Sequence, residues 1–428
     1  MRRRWISAAA IGLAGILALG ACGGGDSGGG GEGGTSAKRV EVFSWWTGPG
    51  EADGLKAMRE IFERQNPNYT FFDAAVAGGS GDQARALLSS KLQANQPPDT
   101  FQGHAGAELQ GYIKAGKLEP LNFLYDELKL KDVFPEQLVE QITVAGNIYS
   151  VPVNIHRSNI LWFNPGVLKE AGVAGAPKTI EEFIGALEKV KKTGKIPLSI
   201  GSQWTQVHLL ESVLLGSLGT DAYNALWTAN ADWSSAEVTK ALENFKTIMS
   251  YAGTPQEDWQ PAAKQVADGE AAFNIMGDWA YGYFHNPPDG GLGKTSKTDF
   301  DWAPSPGTDG TFMWLSDSFT LPKGAPNREG AVAWLKVAAS KEGQDAFNPL
   351  KGSIPARKDA DKSLYQDYLA WNLDQWASNK LAGSIQHGVV ANDAWRTAIN
   401  DAVGLFGQDQ DVAKLQTALV DAAKASGQ

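Results

Sequence analysis

The chain has 428 residues, a formal net charge of −10, 43% hydrophobic residues and one cysteine. An acidic chain without a basic stripe argues against nucleic-acid binding, and a lone cysteine leaves no intrachain disulfide to hold the fold. Roughly 390 residues beyond an N-terminal leader exceed what one core accommodates, so two lobes are expected.

Residues 1–21 place Arg2, Arg3 and Arg4 ahead of an apolar run at 6–19 that has no acidic residue. This is the pattern of a secretory signal peptide, and the run is short for a membrane span. It ends Leu19-Gly20-Ala21-Cys22, which resembles a bacterial lipobox and implies lipidation of Cys22 after cleavage. A free thiol or an intermolecular disulfide is the alternative for that cysteine. Residues 22–38 then read as a lipidated Cys and a flexible Gly-rich tether, with a reach of about 20–25 Å. The expected product is exported and anchored to the outer face of the cytoplasmic membrane as a lipoprotein.

The body opens on Val40-Glu41-Val42-Phe43-Ser44-Trp45-Trp46, a short strand that carries two indoles to its end, followed by a Gly48-Pro49-Gly50 turn. A helix is expected at 51–64, a strand at 69–77, a helix through Ala84 and Leu92, and a strand at 99–104. This βαβαβ order implies a parallel sheet with right-handed crossovers. It brings Trp45 and Trp46 to the same sheet edge as Gln102 and His104, where α/β sheets bind ligands. Gly78–Gly81 lacks the lysine of a phosphate loop and reads as a turn that lets backbone approach a ligand, or as plain loop geometry.

Further along, strands are expected at 148–153 and 197–201, a mixed region begins at 160–163, and helices are expected at 179–192, through Leu218, and at 236–249 and 261–268. Thr179 with Glu182 three residues on has the spacing of a capping box. Residues 271–278 read as a buried strand that delivers Asp278 and Trp279 to its end. Residues 312–321 read as one strand interrupted by Ser316-Asp317-Ser318. Helices at 327–339, 365–377, 393–405 and 411–423 complete the chain.

Five scattered histidines show no metal-ligand spacing, and no serine elbow or phosphate loop is present. Glu51, Asp278 and Asp317 could supply a glycosidase carboxyl pair, which nothing in their spacing favours. What remains is a set of tryptophans and hydrogen-bonding groups at strand ends, in a chain with 15 tryptophans. Sugars have apolar C–H faces and a ring of hydroxyls, so their pockets need flat aromatics with donors and acceptors between them.

The motifs Phe43-Ser44-Trp45-Trp46, Pro98-Asp99-Thr100-Phe101-Gln102, Asn154-Ile155-His156-Arg157, Met276-Gly277-Asp278-Trp279, Leu315-Ser316-Asp317-Ser318 and Pro349-Leu350-Lys351-Gly352 occur in one order. Together they resemble the family 1 extracellular solute-binding proteins of ABC importers, in particular the glucose/mannose-binding branch. The resemblance implies an α/β, two-lobed periplasmic-binding-protein-like fold with parallel-rich sheets, a hinge and an interlobe ligand cleft. It implies a first lobe of residues 39–150 and 311–358 and a second of 151–310 and 359–428. It further implies a monomer with no cofactor and no enzymatic activity, which binds a monosaccharide and docks on the transmembrane subunits of an ABC permease. The rival readings are a secreted glycoside-acting enzyme, a sugar receptor of a signalling system, and an oligosaccharide-binding importer component.

By the same resemblance, Trp45, Trp46, Glu51, Gln102 and His104 line the cleft from the first lobe, and Trp259 and Trp279 from the second. Asp317, Lys351 and His387 complete the sugar contacts. Asp317 and Lys351 could instead simply pair with each other, the histidines could be structural, and Trp259 and Trp279 could be core. Adjacent strand residues point to opposite faces, so one of Trp45 and Trp46 is expected on the ligand and the other behind it. His156 and Trp204 fit the cleft by position and equally fit supporting roles.

Overall fold

Val40 and Val42 are fully buried while Lys38 and Arg39 are exposed, the burial that seats this β-branched run as an interior strand. A computed structural model describes residues 38–229 and 231–427. The expected signal peptide, Cys22 and all of the tether except Lys38 lie outside the described residues. In chain order, β1 (Lys38–Phe43), β2 (Tyr69–Asp73) and β3 (Thr100–His104) alternate with helices Glu51–Gln65 and Asp82–Gln93. A small hairpin, β4 (Thr143–Val144) and β5 (Asn147–Ile148), precedes β6 (Ser150–Pro152), β7 (Asn154–Arg157) and β8 (Ile160–Phe163). Then come β9 (Ile196–Leu198), β10 (Ala271–Met276), β11 (Asp301–Pro304), β12 (Thr311–Leu315), β13 (Asp317–Thr320), β14 (Ile354–Pro355) and β15 (Lys380–Gly383).

The first sheet has the order β2-β1-β3-β13-β6. β1 pairs in parallel with both β2 and β3, as the βαβαβ order requires, and Val42 faces Thr100 in that register. β13 and β6 then add antiparallel strands, so the sheet is mixed and not parallel-rich. The other two large sheets, β11-β8-β10-β9 and β14-β7-β12-β15, are mixed as well. Antiparallel partners enter because the chain returns to each sheet from distant segments and not only through helical crossovers.

Two pairs of consecutive strands divide between sheets, and the first of them reads in sequence as one interrupted strand. β12 belongs to one sheet and β13 to another, with Ser316 as the only residue between them. β6 and β7 do the same around Val153. These crossings are tied side by side, with Val153 N–H donating to Asp317 O (2.9 Å) and Asp317 N–H to Asn154 Oδ1 (2.8 Å). The sheet changes therefore fall at Val153 and Ser316.

Helix ends follow ordinary chemistry. Thr179 Oγ1 caps by accepting from Glu182 N–H (3.1 Å), whereas the Glu182 carboxylate turns to Lys178 N–H and not to the cap, so the box is half made. Residues 348–351 prove to be the end of a helix, Lys341–Lys351, stopped by Gly352 at φ 88°, a left-handed conformation that favours glycine. That stop sets Lys351 in the last turn. β10 ends at Met276, two residues before Asp278, and Trp279 opens a short helix, Trp279–His285. The short helices Glu108–Lys114 and Pro165–Glu170 were not expected, since each is too brief to show a 3.6-residue period.

Candidate functional site

Trp45 and Trp46 separate as the strand geometry demands. Trp46 is 1% exposed and packs on Phe319 and Phe347, with ring centroids 5.5 and 4.5 Å away, as a core residue. Trp45 turns the other way, 5.0 Å from the His104 ring, and faces a cavity of about 60 Å³. Trp259 and Trp279 line the same cavity, their centroids 6.5 Å apart and nearly perpendicular. Trp279 also tilts against His387 at 5.1 Å.

The polar groups arrive from strand and helix ends. Glu51 starts the helix that follows the Gly48–Gly50 turn, and its carboxylate pairs with the Lys351 ammonium. Gly48 N–H also lies 3.4 Å from Glu51 Oε2. Lys351 therefore takes Glu51 and not Asp317 as its ion-pair partner. Asp317 is 3% exposed at the head of β13 and accepts from Gln102 Nε2 (2.9 Å) and Asn154 Nδ2 (2.8 Å). His156 Nε2 stands 3.3 Å from it and His104 Nε2 3.8 Å.

Burial by itself would raise the Asp317 carboxyl. The hydrogen bond and charge of His156, then Lys351 and His104, outweigh it and hold the group well below the usual carboxylate range. His156 is in turn pushed up: burial opposes its charge, but Asp278 beside Nδ1 and Asp317 beside Nε2 favour the imidazolium. Asp278 also accepts from Arg157 N–H and Asn372 Nδ2, both at 2.9 Å, so this acid braces His156 from behind. His104 Nδ1 meets Glu108 at 2.7 Å. Despite full burial, the charges of His104 and Arg85 draw the Glu108 carboxyl down to about 2.

Eight of the ten residues expected at a ligand thus border one cavity: Trp45, Glu51, His104, Trp259, Trp279, Asp317, Lys351 and His387. The other two do not. Trp46 lies in the core, and Gln102 lies behind the wall, holding Trp45 N–H (3.1 Å) with its oxygen and Asp317 with its nitrogen. Gln102 shares a face of β3 with His104, two residues on, and its amide is taken up by Trp45 N–H and Asp317.

His156 and Trp204 do border it. Sequence reasoning missed Asp258 and Gln260, which also border it; Gly78, Gly79 and Ser80, from the turn that reads either as a close approach to a ligand or as plain loop, border it too. Asp258 caps the Trp259–Ala267 helix and accepts from Trp204 Nε1 at 2.9 Å. Asp258-Trp259 before a helical run is a cap signal that could have placed both.

The arrangement presents indole faces and fixed charged hydrogen-bonding groups around a small space. Three carboxylates border the cavity, Glu51, Asp258 and Asp317, and each is engaged by a cation or a hydrogen-bond donor.

A family model described as bacterial extracellular solute-binding protein matches residues 36–345. An uncharacterized ABC transporter extracellular-binding protein of Pyrococcus horikoshii is 32% identical over 394 residues, covering 90% of this chain and 88% of that one. The xylose/arabinose-binding protein of Haloferax volcanii is 30% identical over 375 residues, covering 86% of this chain and 80% of the relative. Among solved structures, a chitin oligosaccharide binding protein superposes with TM-score 0.77 at 20% identity, covering 91% of this chain and 99% of that one. At that identity the likeness shows the fold, which is α/β and two-lobed.

Proposed function

The chain belongs to the bacterial extracellular solute-binding protein family, and from that premise we propose that it captures a monosaccharide and delivers it to an ABC import permease. Glucose or mannose is the sugar we assign, and the protein is a binder and not an enzyme. The observation that carries this reading is the cavity itself. Trp45, Trp259 and Trp279 offer aromatic faces, while Asp317, Lys351, Glu51, His104 and His387 offer charged and neutral hydrogen bonds between them. One water needs roughly 10–15 Å³ of such space. A cavity of about 60 Å³ is therefore in the size class of one sugar ring and not of a chain.

In this reading the lobes comprise residues 39–150 with 311–358, and 151–310 with 359–428. A sugar touching groups from both lobes favours the closed state by its differential affinity for it. Charged hydrogen bonds contribute about 1.5–3 kcal/mol each and read hydroxyl stereochemistry. The closed, monomeric protein then docks on the permease, held near it by lipid on Cys22.

Titration calorimetry against glucose, mannose, galactose, xylose, maltose and chitobiose tests the assignment. Micromolar binding with glucose or mannose tightest is expected. No mono- or disaccharide tighter than millimolar overturns the sugar reading. Tightest binding of the disaccharides would move it to an oligosaccharide importer, and release of new reducing ends would make it a glycosidase. Detergent phase partition of the wild type and Cys22→Ala checks the anchor: only the wild type should enter the detergent phase.

A further inference from the structure

Beneath the His387 wall of the cavity lies a buried acid that the site as described leaves without a role. Glu211, on the helix Gln203–Leu218, is 0% exposed. No lysine or arginine ion pair reaches it among the described residues; only His208, on its own helix, stands within 4 Å, at 3.6 Å. Its carboxylate binds the turn before His387 instead. Oε2 accepts from Ile385 N–H (2.7 Å) and Gln386 N–H (3.1 Å), and the Ser384 hydroxyl lies 3.0 Å from both oxygens. Ser384 Oγ in turn receives His387 N–H (3.2 Å) and meets His387 Nδ1 at 2.9 Å.

A serine hydroxyl has one proton to give. With that proton on the Glu211 carboxylate, Ser384 Oγ is an acceptor toward His387, so Nδ1 carries the imidazole hydrogen. Burial, then the charges of His104 and His208, hold His387 well below its ordinary pKa, so the ring is neutral and its tautomer matters. The second nitrogen, Nε2, is then a lone pair.

We infer that Glu211 is a positioning residue for sugar capture: through Ser384 it fixes the His387 tautomer so that Nε2 accepts a hydrogen bond from a ligand hydroxyl. This deepens the monosaccharide reading and rests on it. It also assigns His387 a polarity, acceptor and not donor, opposite to the ammonium of Lys351 on the same cavity. Glutamine at 211 keeps the shape and can still accept from the two backbone N–H groups, but its amide nitrogen would face Ser384. The hydroxyl would then turn to His387 Nδ1 and the ring hydrogen would move to Nε2.

The test is Glu211→Gln at pH 8, because burial pushes the Glu211 carboxyl up to about 7 and this pH keeps it an acceptor. Nitrogen-15 NMR of labelled, sugar-free protein should show His387 protonated on Nδ1 in the wild type and on Nε2 in the variant. Calorimetry should show affinity reduced at least tenfold by Glu211→Gln, and no further reduction when His387→Ala is already present. Should Glu211→Gln fail to fold, Ser384→Ala interrupts the same relay while leaving the backbone anchors, and the same non-additivity is expected. An unchanged tautomer, wild-type affinity in a folded variant, or equal losses with and without His387 overturns the inference. The nitrogen signature is read without sugar, so failure of every sugar to bind would sink the functional reading separately.

Discussion

Asp317 and His104 stand opposite each other in the antiparallel register of β13 on β3, and Asp317 binds three side chains from two strands, Gln102 of β3 with Asn154 and His156 of β7. The carboxylate is the acceptor on which Gln102, Asn154 and His156 converge. Replacing Asp317 with Ala should weaken sugar binding at least tenfold by calorimetry. It should also lower the thermal midpoint, because removing one partner leaves buried donors unsatisfied at about 1–3 kcal/mol each. Asp317→Asn, which keeps an acceptor oxygen, should recover part of the stability and less of the affinity.

Acid should destabilise the protein through the same neighbourhood. Asp317 and Glu108 both have folded pKa values below their unfolded ones, Glu108 at about 2 against an ordinary value of 4.5. Such groups contribute stability above the unfolded pKa and lose it as pH falls toward the folded one. The slope of stability against pH between about 4.5 and about 2 should be shallower in Glu108→Gln than in the wild type. Urea titrations across that range check it; identical slopes would contradict it.

The two adjacent indoles should part company on mutation. Trp46→Ala removes a core side chain and should cost about 3–5 kcal/mol in urea unfolding, with sugar affinity of the folded protein within a few-fold. Trp45→Ala should lower affinity tenfold or more at a smaller cost in stability. Equal effects on binding would show that the strand does not divide them.

The Glu51–Lys351 pair joins the helix that follows β1 to the last turn of the helix before β14. Lys351→Ala should weaken sugar binding at least tenfold. Double-mutant cycles with Glu51→Gln should show coupling in both stability and affinity, since each removal strands the other charge. Additive effects would mean that the two act separately.

Gly79 has no room for a side chain. A Cβ there would sit 2.3 Å from Trp204 Nε1 and 2.5 Å from Asp258 Oδ1. Gly79→Ala should therefore hold the Gly78–Ser80 turn away from Trp204, weakening binding about tenfold, chiefly through faster dissociation in stopped-flow fluorescence. Its folding stability should change little, because the clash is made with the cavity wall and not within the turn.

Local patterns alone predicted much of this molecule. The β-branched run into Trp45-Trp46, the amphipathic helix at 236–249 and the cap at Thr179 are written in contiguous residues, and the structure has them where expected. Of the ten candidate residues named from the family resemblance, eight border one cavity. Tertiary structure alone decided that residues 312–321 divide at Ser316 between two sheets, because strand partners are chosen by surfaces far away in sequence. It decided that Gln102 holds the wall while His104 faces the cavity, and that Lys351 pairs with Glu51 and not with Asp317. It also decided that a buried Glu211 grips the turn before His387. The reason is the same in each case: periodicity encodes which face of an element is apolar, whereas the partner of a buried charge is set by which distant groups can reach it before water is excluded.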